Sequence, residues 1–245
     1  MRISRPSLLA WLCVAVVLGV GARFYFSSDR ALRGAARDRR ALALEILGRR
    51  LAACCSGGEV LVIGNPFVLL PDQPAEIRTF EQAAVEGLLA GAGSALKFGG
   101  IAHPALDPRA AANPAAYPLP PDLRTPLSAM TTRDAWDRLR QEHPTSTLWV
   151  SLIGLPAGVG NLEVWRSPEP RFALLFPDLR LLGGSGSVKA AFTSGKLVAI
   201  VLNRPGAPPE SADAGGDQQD EFDRRYLLVT PENFEEMYRR YPAAF

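Results

Sequence analysis

Six short apolar runs, most of them separated by stretches of helical periodicity, constrain this chain more than any other feature. They are Glu59–Gly64 (EVLVIG), Ala95–Ala102 (ALKFGGIA), Thr147–Ile153 (TLWVSLI), Arg171–Phe176 (RFALLF), Leu197–Leu202 (LVAIVL) and Tyr226–Val229. Runs of Val, Ile and Leu without polar alternation predict strands buried on both faces, which is the habit of parallel sheets. Strands that alternate with helices predict an α/β fold: one open, mainly parallel sheet with helices on both faces. A flavodoxin-like order, 2-1-3-4-5 with the sixth strand at an edge, is expected. Leu162–Trp165 reads as a short extra strand.

The helical stretches are bounded by recognisable signals. Residues 29–53 place Leu44, Leu47 and Leu51 at spacings of three and four, and carry seven Arg elsewhere. This segment reads either as a basic stalk or as the first helix of the domain. A second helix is predicted over 76–91, stopped by Gly91 and Gly93. Thr131 and Thr132 read as caps for a third, which ends at His143 before Pro144. Thr230 reads as the cap of the last, with Pro231 at its first position.

Two segments interrupt the rhythm. Residues 103–130 hold seven Pro, which argue against any sustained helix or central strand and suggest a lid or binding loop. Residues 203–224 carry six acidic residues and three Pro, and read as an acidic loop.

The amino terminus adds a second constraint. A basic tip (1–6, with Arg2 and Arg5) precedes an unbroken apolar run, Leu8–Ala22, and an aromatic edge, Phe24–Phe26. Counted from Ser7 to Phe26, a helix would reach about 30 Å, the thickness of a hydrocarbon core. Residues 7–26 are therefore expected to anchor the protein in the lipid bilayer as a single pass, with aromatics at the interface. The alternative is a signal peptide cleaved after Val20-Gly21-Ala22. The domain, 57–245, is expected on the extracytoplasmic side.

Composition narrows function by exclusion. A net charge of +2, with only three Lys and no basic stripe interleaved with aromatics, speaks against nucleic acid as a partner. Three Cys and two His, with Cys54 and Cys55 adjacent, offer no metal-ligand set and no disulfide scaffold. No cofactor motif is present: Gly183-Gly184-Ser185-Gly186-Ser187 matches neither dinucleotide nor phosphate-loop spacing.

In a parallel sheet, ligands sit where loops leave the carboxyl ends of the strands. Those loops place Asn65, Pro66, His103, Gly184, Ser185 and Asn203 as candidate ligand contacts. Ser185, His103 and Asp178 form a conceivable nucleophile, base and orienting acid, although the final Gly of a G-x-S-x-G elbow is missing. Glu81 and Glu86 share a helix, and acid–base work by either would require a pocket beside it.

In its strand–helix rhythm the chain is similar to one lobe of the type I periplasmic binding proteins. That resemblance, one of topology, implies a binding or interaction module for a small molecule or a protein partner. An anchored hydrolase or transferase using Ser185 and His103, and an assembly component acting through its membrane and stalk helices, are the alternatives. A pocket lined by loops 65–74, 103–130 and 177–186 would favour binding, and Ser185 beside His103 would favour catalysis.

Overall fold

The computed structural model describes residues 31–209 and 216–245. The expected anchor at 7–26 lies outside these residues. Among the described residues no helix is long and apolar enough to cross a membrane.

Helix α1 (31–54) leads into β1 (Glu59–Ile63), α2 (Ala75–Ala92) and β2 (Lys97–Ala102). A long excursion then carries the short α3 (Pro108–Ala112) and α4 (Pro126–Ala129) before α5 (Ala135–Glu142) and β3 (Leu148–Ser151). The chain continues through α6 (Glu163–Arg166), β4 (Arg171–Leu175), α7 (Ser185–Thr193) and β5 (Leu197–Asn203). It ends with α8 (Gln218–Arg225), β6 (Tyr226–Val229) and α9 (Phe234–Arg240). The strand order is β2-β1-β3-β4-β5-β6, as expected, parallel except for the antiparallel pair β5–β6.

Two apolar layers flank the sheet. One side packs α1, α2 and α8, through Leu44, Leu47, Leu88 and Phe222, on Val60, Val62, Val150 and Val201. The other packs α5, α6, α7 and α9, through Trp136, Val164, Phe192 and Phe234, on Leu61, Ile63, Trp149 and Ile200. Adjacent residues of β1 thus serve opposite layers, which is why its run shows no polar alternation. The chain leaves β1 for β2 in one direction and returns past β1 to β3, β4 and β5 in the other. Right-handed crossovers then require α2 on one face and α5–α7 on the opposite one.

Several local expectations are corrected. Leu162–Trp165 is no strand: residues 163–166 form α6. The Lys196 ammonium accounts for how its end is finished, donating to Val164 O at 2.6 Å, Ser167 O at 2.7 Å and Pro170 O at 2.6 Å. Gly91 does not stop α2 but lies inside it; Gly93, at φ 55°, terminates it. Thr131 does not cap α5. Its hydroxyl donates to Ser128 O at 2.7 Å and accepts from the buried Trp136 indole at 3.1 Å, a donor that would otherwise lack a partner. Thr230 likewise caps nothing: its N–H donates to Asn233 Oδ1 at 2.8 Å, and α9 starts at Phe234.

The two irregular segments are more structured than their composition suggests. In 103–130, Pro108 and Pro126 stand at the first positions of α3 and α4, where a missing N–H costs nothing. In 203–224 the acidic residues open α8. Asp217 caps it, accepting from Asp220 N at 2.7 Å, and Arg224 and Arg225 close it, in keeping with the helix dipole.

Candidate functional site

The chain leaves β1 and β3 toward opposite faces of the sheet, so their carboxyl ends border an open crevice, the topological switch point. A cavity of about 290 Å³ lies there. Asn65 comes from the end of β1, and Leu152 and Ile153 from the end of β3. Glu76, Ile77, Phe80 and Glu81 come from α2, Arg40 from α1 and Leu127 from the 103–130 excursion.

Asn65 is the cap of a single turn of 3₁₀ helix, Pro66–Leu69. Its Oδ1 accepts from Phe67 N at 3.0 Å, and Pro66 occupies the first position. Its backbone N–H donates to Glu81 Oε2 at 2.6 Å. The same carboxylate lies 3.0 and 3.1 Å from His103 Nε2. Glu81 can reach the backbone because residue 64 is Gly: a Cβ there would collide with its carboxylate and crowd the His103 ring. Loop, helix and edge strand are thereby tied by one buried carboxylate.

Arg40 stands at 40 in the series 40, 44, 47, 51, on the same stripe of α1 as three fully buried leucines. One Nη donates to Leu152 O at 3.2 Å. Its Nε is buried without an acceptor, and among the described residues no carboxylate stands within ion-pair distance of the guanidinium. Burial pushes the guanidinium below its ordinary value, opposed by the charge of Glu81 and then by Tyr226. A cation so placed would normally be paired.

The excursion 103–130 borders this crevice through Leu127. Phe67, Ala110 and Met130 form a small separate core, against which Leu106, Tyr117 and Leu127 pack. The Ser128 hydroxyl donates to Leu155 O at 2.8 Å and fastens α4 to the loop after β3.

The candidates divide into two groups. Asn65, Pro66 and His103 gather at the crevice. Gly184, Ser185, Asp178 and Asn203 do not. Gly184 precedes α7 with φ 96°, and Ser185 is its first residue. Asp178 caps the 3₁₀ turn Leu179–Leu182 and is engaged by Arg180 Nη2 at 2.7 Å and Arg124 N at 3.1 Å. Arg180 foremost holds this carboxyl below its usual range. Asn203 is exposed, opposite Tyr226 in the antiparallel pair. His103 follows β2 and Asp178 follows β4, three strand spacings apart or roughly 14 Å. The envisaged Ser185–His103–Asp178 set therefore does not assemble, and the acid that meets His103 is Glu81.

At the crevice the loops that converge are 65–74 and 103–130, with the residues after β3; 177–186 meets 103–130 away from the cavity lining, where Asp178 accepts from Arg124 N and Arg180 donates to Asp122 O at 2.7 Å. Cys54 and Cys55 lie at the amino ends of the strands, away from the crevice, with sulfurs 3.1 Å apart. The hydrogen bond from Cys55 draws the Cys54 thiol down to about 6. No cluster of His, Cys, Asp and Glu suited to a metal occurs among the described residues.

No protein-family model matches the chain, and no curated protein does. Among solved structures it is similar to an ABC transporter periplasmic solute binding protein from Actinobacillus succinogenes 130z with bound D-allose. The TM-score is 0.43 at 8% identity, over 81% of this chain and 61% of that one. It is also similar to a sugar ABC transporter from Actinomyces odontolyticus ATCC 17982, with a TM-score of 0.37 at 10% identity, over 67% of this chain and 43% of that one. The chain thus spans less than two thirds of either protein, and at these scores neither likeness bears on its ligand.

Proposed function

We propose that this protein is a membrane-anchored, extracytoplasmic module that binds a small solute in the crevice between β1 and β3. The carrying observation is Arg40, a guanidinium on an apolar helix stripe whose Nε has no acceptor and whose side chain lines a cavity. The buried Nε atoms of Arg50 and Arg204 also lack acceptors, but those guanidiniums meet Glu232 and the Tyr241 hydroxyl through their Nη atoms, and Arg39 has Glu221 at 3.1 Å, whereas Arg40 meets only a backbone carbonyl among the described residues. The walls Ile77, Phe80, Leu127, Leu152 and Ile153 with a few polar groups make the mixed lining of a small-molecule site. Anchoring and side of the membrane rest on the basic tip, apolar run and aromatic edge of residues 1–26.

A thermal-shift screen of the full chain against small solutes tests the binding reading. At least one solute is expected to raise Tm, and Ile77→Trp, which fills the crevice from α2, is expected to abolish that rise while leaving the unliganded melt in place. A rise that survives Ile77→Trp would move the site elsewhere, and a library without any effective solute would refute the reading. Location is tested with two carboxyl-terminal fusions, one enzyme active only outside the cytoplasm and one protein fluorescent only inside. Fluorescence without enzyme activity would overturn the extracytoplasmic placement.

A further inference from the structure

The crevice contains a charge without a counterion, and this points to a ligand class. Nε of Arg40 is sealed within the protein without an acceptor and one Nη is engaged by Leu152 O, which leaves the other Nη with no protein acceptor among the described residues. The charge of Glu81 is felt at Arg40, but that carboxylate is hydrogen-bonded to Asn65 N–H and lies against His103, and it makes no direct ion pair with the guanidinium. The complement of a guanidinium whose Nη end is open is a planar pair of oxygens carrying one negative charge. Around it, Ile77, Phe80, Leu127 and Ile153 present hydrocarbon. We propose that the crevice binds a small monocarboxylate with an apolar tail, the carboxylate on Arg40 and the tail between α2 and Leu127.

This inference rests on the solute-binding reading and narrows it. A phosphate dianion is disfavoured by Glu81 in the same cavity, and the glycine turn that could cradle one, Gly183–Ser187, follows β4 rather than β1 or β3. A neutral polyol would leave the largely desolvated guanidinium without a direct ion-pair partner.

Calorimetric titration of the full chain with hexanoate, hexanamide and hexyl phosphate at millimolar concentration tests it. Hexanoate is expected to bind at least roughly tenfold more tightly than either analogue, the scale of one charge-assisted hydrogen-bonded pair. Arg40→Met keeps the aliphatic stem and is expected to lower hexanoate affinity by a similar factor. Arg40→Lys, which keeps the charge but loses the fork, is expected to fall between, and serves should the Met variant not fold. Equal affinity for hexanamide, a preference for hexyl phosphate, or unaltered hexanoate binding in both Arg40 variants would overturn the proposal. Hexanamide binding that Ile77→Trp abolishes would overturn the carboxylate assignment alone and leave the solute-binding reading standing. Binding of none of the three would also overturn the assignment, and the wider solute screen then decides the binding reading by itself.

Discussion

At the residue scale, two carboxylates at opposite ends of β1 illustrate different duties. Glu59, at the amino end, receives Lys97 Nζ at 2.9 Å and the hydroxyls of Thr145 and Ser146 at 2.8 Å each. Lys97 foremost, then Ser146 and Thr145, hold its carboxyl down at about 2, against an ordinary value of 4.5. A depressed carboxyl stabilises the fold above its unfolded value and loses that contribution as pH falls through the folded one. Stability is therefore expected to decline between about pH 4.5 and about pH 2, and Glu59→Gln to flatten that part of the profile. Melting curves across this range check it, and an unchanged slope in the variant would assign the acid sensitivity elsewhere. Ligand binding should not change, since Glu59 is at the far end of the sheet from the crevice. Glu81, past the carboxyl end, instead organises the site. Asn65 and His103 were readable as candidates because each follows a strand directly. Glu81 and Arg40 were not, since each lies inside a helix and acquires its neighbours only when that helix docks. The one local sign was an Arg in register with Leu44, Leu47 and Leu51, a charge on an otherwise apolar stripe.

At the scale of elements, the crevice depends on how closely α1 approaches α2. A Cβ on Gly87 would meet the Ala41 carbonyl, one on Gly91 the Glu45 carbonyl, and one on Gly48 the Leu88 carbonyl. The helices therefore touch backbone to backbone, and this contact sets the depth at which Arg40 of α1 faces Glu81 of α2. Gly91→Ala poses two opposed effects. Helix propensity favours Ala by about 1 kcal/mol, while overpacking against a backbone that cannot rotate away costs about 1–3 kcal/mol or more. The clash should win, so the variant is expected to be destabilised by about 1–2 kcal/mol in chemical denaturation. A more stable variant would show that the helices separate freely. From sequence, Gly91 reads as a helix stop because glycine usually ends helices; the neighbouring helix that makes it useful inside one is invisible to local pattern.

At the scale of the whole molecule, two large apolar layers hold the sheet, and a third small cluster holds the 103–130 excursion that borders the crevice. Because this excursion shares little of the main core, it is expected to unfold locally by itself. Hydrogen exchange should show the amides of 106–119 at least about a hundredfold less protected than those of β1, β3 and β4, where opening requires global unfolding. Equal protection would make the excursion part of the global unit. The strand–helix alternation and the mainly parallel sheet follow from the sequence by itself, because buried strands need unbroken apolar runs, while the observed order matches a flavodoxin-like expectation that neither the runs nor the hand of the crossovers dictates. Tertiary structure alone decided which of the carboxyl-end loops meet. Strand order brings β1 and β3 side by side and sets His103 apart from Asp178. The packing of α1 on α2 then brings a half-buried arginine to the crevice, a juxtaposition of residues 40, 65, 81 and 153 that no spacing along the chain encodes.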